Sequence, residues 1–204
     1  MDNRDRILGA AKKIYAQYGF RGATTRLIAI EAGVNEVTLF RTFGSKAALF
    51  EALMLAHVAQ SPIPHLPDNP LDPEREMTDW CASVLRHMRE NNALIRTSFG
   101  EMEERPEAAV SMCEGPNCAA MILTDYVLRL QSMGIAAADG DIPTSVAMLM
   151  STMFGDAISR GVMPNGFPEP ESEAPAKYVR VFMRALGVTA ARHRTPVVRS
   201  AAGD

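Results

Sequence analysis

The sequence predicts an all-α protein, with a small three-helix N-terminal unit followed by a larger helical unit. Three observations carry that prediction. Apolar residues recur at helical spacing along most of the chain, and no segment alternates apolar with polar as a half-buried strand does. At 204 residues, 47% hydrophobic and 6% aromatic, the chain suits one compact domain or two small ones and is too apolar to be disordered. Charge and methionine divide it near residue 50. Residues 1–50 hold eight basic and four acidic residues, +4, while the remainder holds 13 basic and 20 acidic, −7, together with every methionine except Met1. The net charge of −3 is therefore a sum over two unlike halves.

Each element follows from local pattern. Ile7, Ala11, Ile14 and Tyr18 form a helical stripe, and Gly19 ends it. Short helices are expected at about 25–31 and 35–42, and a longer one from the N-cap Ser45 to about Ala59. Pro62, Pro64, Pro67, Pro70 and Pro73 make 61–73 a stiff loop or linker. The stripe Met77, Trp80, Cys81, Val84, Leu85, Met88 predicts a helix over about 73–90. Further helices are expected at 92–104, 106–114, 117–133, 142–161 and 174–187, with a kink or turn at Gly115-Pro116. The expected division is 1–50, 51–190 and a flexible tail, 191–204.

Several classes are excluded at this stage. The longest stretch free of Asp, Glu, Lys and Arg, Ala52 to Pro67, contains two His and three Pro and is no membrane span. The N-terminus lacks a secretory pattern, and three cysteines in apolar surroundings read as free thiols in a reducing cytoplasm, the expected location. No Ser/His/Asp or Cys/His constellation, phosphate-cradling loop or metal-ligand spacing points to an enzyme or a cofactor. Cys113 and Cys118 lack a matched His or further Cys for zinc, and a redox or metal role for them stays open.

Residues 24–46 have the arithmetic of a helix-turn-helix. Ala29 is small where two helices cross, and Gly33 suits the positive φ of a tight turn. Val34 plugs the turn, and Asn35 caps the next helix. Leu39 and Phe43 bury one face of that helix, leaving Glu36, Val37, Thr38, Phe40 and Arg41 free for a DNA major groove. A plain αα-hairpin would need only the glycine and the apolar stripe. The +4 charge and the capped Ser45-Lys46 favour DNA binding.

The run Arg6-Ile7-Leu8, Tyr18-Gly19-Phe20, Thr24-Thr25, Ile28-Ala29, Ala32-Gly33-Val34, Thr38-Leu39-Phe40-Arg41, Phe43-Gly44-Ser45-Lys46 and Leu49 resembles the TetR family of bacterial transcriptional regulators, over about residues 4–53. The resemblance implies a homodimer whose N-terminal helix-turn-helix DNA-binding domains enter successive major grooves of a near-palindromic double-stranded operator. It also implies a C-terminal helical ligand-binding and dimerisation domain, and release from DNA by a small-molecule effector. Carried over residue by residue, Thr25, Thr38 and Lys46 would contact phosphates. Arg26 and Arg41 could grip guanine, with a phosphate contact the competing role for Arg41. Asn35 reads as a cap rather than a base reader. Three departures complicate the operator: Phe40 where Tyr is usual, Val37 for a frequent Gly, and Glu36, a carboxylate that repels phosphate unless it accepts from cytosine N4.

In the C-terminal unit, the candidate lining of an adaptable apolar pocket is Met77, Trp80, Cys81, Val84, Met88, Phe99, Met102, Cys113, Met121, Ile122 and Tyr126. Ordinary core packing is the competing reading for each. The last two helices are apolar around most of their circumference, which implies a partner. Val146, Met150, Met153, Phe154, Ala157, Val179, Phe182, Met183 and Leu186 are the candidate dimer interface.

Overall fold

A computed structural model describes residues 2–59, 63–100 and 106–188. Among these residues there are nine α-helices and no strand. In chain order they are α1 (Asn3–Gly22), α2 (Thr25–Ala32), α3 (Glu36–Phe43), α4 (Lys46–Ala59), α5 (Pro73–Glu90), α6 (Asn92–Gly100), α7 (Pro106–Ser132), α8 (Ile142–Ser159) and α9 (Ala174–Ala185). The all-α class and the helical layout are as the sequence predicts. No helix among the described residues is long and apolar enough to cross a membrane.

Two apolar clusters organise the helices. The first joins α1–α4 through Ile7, Ala11, Ile14, Ile28, Ala29, Leu39, Leu49, Phe50 and Leu53, and takes in Leu94 from α6. Tyr15, not Tyr18, completes its α1 stripe: the Tyr15 ring meets Phe50 at 5.0 Å, tilted by 51°, while Tyr18 is exposed. Gly19 (φ 65°) kinks α1 as its missing Cβ permits, and three residues of helix follow before Ala23. The second cluster gathers α5, α7, α8 and α9 around Met77, Leu85, Leu123, Tyr126, Met153 and Phe182.

Two loop expectations change. Helix α7 runs through Pro116 without a break. Much of the steric conflict before a proline involves the preceding residue's Cβ, and Gly115 has none. The proline-rich segment is more than a linker. Leu66 and Pro70 are buried, and the Pro64 carbonyl accepts the Trp80 indole N–H at 2.8 Å.

Candidate nucleic-acid interface

The helix-turn-helix is assembled by short-range instructions. Thr24 caps α2 by accepting from the Leu27 N–H at 3.2 Å, and the exposed Ser45 hydroxyl does the same for α4 at Ala48 N–H, 3.1 Å. Between α2 and α3, Gly33 adopts φ 63°, and the Gly33 and Val34 N–H groups return to the Ile30 and Ala29 carbonyls, 3.0 Å each. Asn35 Oδ1 then accepts from Val37 N–H at 3.0 Å and starts α3. Leu39 is fully buried and Phe43 half-buried, so α3 turns its opposite face outward.

That outward face carries Val37, 71% exposed, and Phe40, 44% exposed, with Arg41 beside them. Arg26 projects from the first turn of α2. Neither Arg26 nor Arg41 makes an ion pair or side-chain hydrogen bond with any described residue, so both guanidiniums retain their full donor sets. Thr38 is half-buried. The other sequence-predicted contacts are already engaged inside the protein. Lys46 donates to the Phe20 carbonyl and lies 4.4 Å from the centre of its ring. Thr25 Oγ1 donates to Glu36 Oε1 at 2.5 Å, which links the first turns of α2 and α3.

Two arginines of α1 complete the head, and the sequence reading assigned a role to neither. Arg6 Nη2 donates to the Gly33 carbonyl at 3.0 Å and so braces the turn. Arg4 lies over the Phe43 ring, 5.2 Å from its centre. Their signal was available: both sit on the polar side of a helix whose apolar stripe faces the helix-turn-helix. At the junction with the rest of the chain, Lys12 Nζ donates to Asn91 Oδ1 at 2.7 Å, beside a cleft of about 270 Å³ between α1 and the α5–α6 corner.

In the C-terminal unit, Met77, Trp80, Cys81, Val84 and Tyr126 come together in the second cluster, with Met88 and Ile122 packed against it. Burial pushes the Cys81 thiol up to about 12, so it is no thiolate at neutral pH. Tyr126 donates to Glu76, whose other oxygen accepts the Leu71 and Asp72 N–H groups. Burial raises the Glu76 carboxyl, but these hydrogen bonds outweigh it and hold the group below its ordinary range. Phe99 and Met121 do not join this cluster. They are 54% and 66% exposed, and the Phe99 ring instead meets Phe154 at 5.3 Å. Met102 and the side chain of Cys113 lie outside the described residues, and Cys118 is exposed. No group of three or more His, Cys, Asp or Glu able to hold a metal ion occurs among the described residues.

The residues expected at a dimer face are largely consumed by the subunit itself. Val146, Met153, Ala157, Val179, Phe182, Met183 and Leu186 are buried, and Met150 and Phe154 are half-buried. The reason is that α8 and α9 both lie against α5 and against each other, so their most apolar sides face inward. The adjoining strip stays outward: Ala147, Met148, Ser151 and Thr152 on α8, Val181 and Ala185 on α9.

Beneath these helices is a charged site that sequence reasoning missed. Asp156, fully buried, accepts from Arg89 at 2.8 Å, from Arg160 Nε and Nη2 at 2.7 Å each, and from the Tyr178 hydroxyl at 2.7 Å. Burial alone would raise its carboxyl; the bonds from Arg160, Arg89 and Tyr178 outweigh that and hold it at about 2. A lone acid in an apolar helix with Arg at i+4 was the available signal.

Residues 7–53 match the model of bacterial regulatory proteins of the tetR family. The chain is 28% identical over 155 residues to the HTH-type transcriptional regulator YvkB of Bacillus subtilis, covering 76% of this chain and 81% of that one. It is 25% identical over 166 residues to the HTH-type transcriptional regulator UidR of Escherichia coli, covering 78% and 79%. The solved structure of GusR of Salmonella enterica shares the fold, with a TM-score of 0.71 at 21% identity over 89% of this chain and 95% of that one. The matched segment begins inside α1, spans the helix-turn-helix and its turn, and ends at Leu53, which α4 buries against the head. Residues 7–53, with the α2–α3 helix-turn-helix at their centre, are the part that resembles the DNA-binding region of the tetR family, and most of the chain is similar to HTH-type transcriptional regulators.

Proposed function

We propose that the protein is a repressor that binds a near-palindromic operator as a homodimer and is released by a small, largely apolar molecule held in its C-terminal domain. Residues 1–50 would read DNA, with 51–190 serving ligand binding and dimerisation. The observation that carries the DNA half is the outward face of α3, Val37, Phe40 and Arg41, flanked by the unengaged Arg26. Val37 and Phe40 offer apolar contact to thymine methyls, and the two arginines offer either bidentate guanine contacts or phosphate contacts. Thr38 would set register on the backbone, together with the ammonium protons of Lys46 that the Phe20 carbonyl leaves over. The second copy would seat on the Met148 and Val181 strip, because the deeper residues of α8 and α9 are already used. Selection of duplexes from a randomised pool, followed by binding at increasing salt, tests this reading. A palindromic consensus and a log–log salt slope of about −0.9 per phosphate contact are expected. Binding without sequence preference overturns it.

The effector half rests on the apolar cluster under the 63–72 segment, which holds Met77, Trp80, Tyr126 and Met153. A 100-fold loss of operator affinity requires about 2.7 kcal/mol of preference for the released conformation. One observation favours a regulator without an effector: the Trp80 N–H and the Tyr126 hydroxyl are both satisfied internally, so neither is free to orient a ligand. Trp80 is the only tryptophan, which makes its emission a direct readout. An apolar compound that both shifts that emission and releases the selected operator supports the effector. A compound library that does neither supports the second reading.

A further inference from the structure

We propose that Glu36 is a positioning residue for DNA recognition, acting through the Thr25 hydroxyl to set the roll of the reading helix. The inference rests on the DNA-binding role of α2–α3. Helix α3 is anchored to the head by Leu39 and Phe43, both apolar. Apolar contact is non-directional, so these two fix how deep α3 sits but resist its rotation about its own axis only weakly. Directional ties do that, and the first turn of α3 has two. The turn through Gly33 and Asn35 joins it to the C-terminal end of α2, and Glu36 Oε1, accepting from Thr25 Oγ1 at 2.5 Å, joins it to the N-terminal end. Both partners are half-buried, whereas the adjacent Arg26 and Val37 are exposed.

This bond reassigns two residues. A threonine hydroxyl has one proton, and Thr25 gives it to Glu36, so it has none left to donate to a phosphate. The Glu36 carboxylate, facing a polyanion, is accommodated because it receives a charge-assisted hydrogen bond at the positive end of the α3 dipole. Base selection then falls to Val37, Phe40 and Arg41, whose aim depends on the roll that Glu36 sets.

The test uses the full-length protein and a duplex enriched from a randomised pool by the wild type. E36A and T25V, the latter nearly isosteric, should each weaken binding about tenfold, and the double variant should be no weaker than either single one. E36Q keeps an acceptor for the Thr25 hydroxyl while removing a charge that repels phosphate, so it should bind as tightly as wild type or up to about threefold tighter. Re-selection with E36Q should return the wild-type consensus. A changed base preference at one position of each half-site in E36Q, with T25V binding normally, would show base reading and overturn the proposal. So would additive losses in the double variant, which indicate that Thr25 and Glu36 act separately, and so would E36Q failing as badly as E36A. If the wild type enriches no sequence at all, the DNA-reading role itself fails, a result distinct from any of these.

Discussion

The reading head and the C-terminal unit bury different things. In the head, Ile7, Ile14, Ile28, Leu39, Leu49 and Phe50 close a cluster without a buried charge among the described residues. The buried amide, hydroxyl and carboxylate side chains among the described residues, Asn91, Ser98, Ser145 and Asp156, lie after the head in the chain. The head is therefore held by many small, separable contributions, in which each cap or turn can be altered alone. The C-terminal unit is keyed by one carboxylate that ties α5, α8 and α9 through two guanidiniums and a phenol. The head must keep its outer face available for a polyanion, and that purpose suits a core that owes nothing to charge. The second unit has no such constraint and places its ionic contact inside.

The largest expected effect breaks the keyed half. Replacing Asp156 with Ala removes the buried acceptor of Arg89 and Arg160 and leaves them only the exposed Glu171 and Glu169, and should cost about 3 kcal/mol in chemical unfolding. The head's exposed pair, Lys13–Glu31 at 2.6 Å, is the control. Removing Glu31 should change stability by less than about 0.5 kcal/mol. Acid sharpens the same contrast. The folded carboxyl of Asp156 sits at about 2, below its ordinary 3.8. Its contribution is therefore complete above about pH 4 and is lost as pH falls from there toward 2. About 2 kcal/mol is at stake, at roughly 1.4 per unit. Wild type should lose stability across that window, and Asp156→Asn should lose less. Equal acid sensitivity would mean that Asp156 is not the key.

The next effect belongs to the head and should leave stability untouched. Arg41→Ala and Arg26→Ala remove exposed side chains that make no ion pair or hydrogen bond with a described residue, so unfolding should be unchanged while operator affinity falls. A bidentate guanine contact would cost about 1–3 kcal/mol and relax preference at one base pair. A phosphate contact would instead weaken all sequences alike and shallow the salt slope by about one ion. Competition between the selected operator and random duplex separates the two.

This difference between the halves also governs what could be read in the sequence. Thr24, Gly33, Asn35 and Ser45 act within four residues of themselves, so the helix-turn-helix was legible in order and nearly to the residue. Asp156 meets Arg89 across 67 residues, and no local pattern announces that. The same limit explains the dimer face. An all-round apolar helix reads as needing a partner, but only the packing of α8 and α9 on α5 shows which side the subunit has already covered. Lys46 and Thr25 show a third limit. Residue type gave their ability to donate, while the competing acceptors, the Phe20 carbonyl and Glu36, came from other helices.

Within the head, the turn should outweigh the cap. Gly33 has φ 63°, and an added Cβ would stand 2.7 Å from Arg6 Nη2, the atom that braces the turn. Gly33→Ala should cost about 1–2 kcal/mol, mostly for the left-handed backbone, since the end of Arg6 can swing aside. A loss no larger than that of Gly9→Ala, where an added Cβ meets nothing within 4 Å, would show that the turn is not under this constraint.

The smallest effect distinguishes a cap from a reader. Asn35→Ala removes the acceptor for Val37 N–H and should cost about 1 kcal/mol of stability, with operator affinity falling as α3 frays. Asn35→Ser keeps a capping oxygen but has no amide to pair with a base. If Asn35 only caps, Asn35→Ser should retain both stability and the selected consensus. If it reads, the consensus should change at one position while stability holds. Asn35→Asp adds a third constraint, because it caps at least as well but sets a second carboxylate next to Glu36 at the DNA. It should preserve unfolding and weaken operator binding, which would make the head's separability measurable at a single residue.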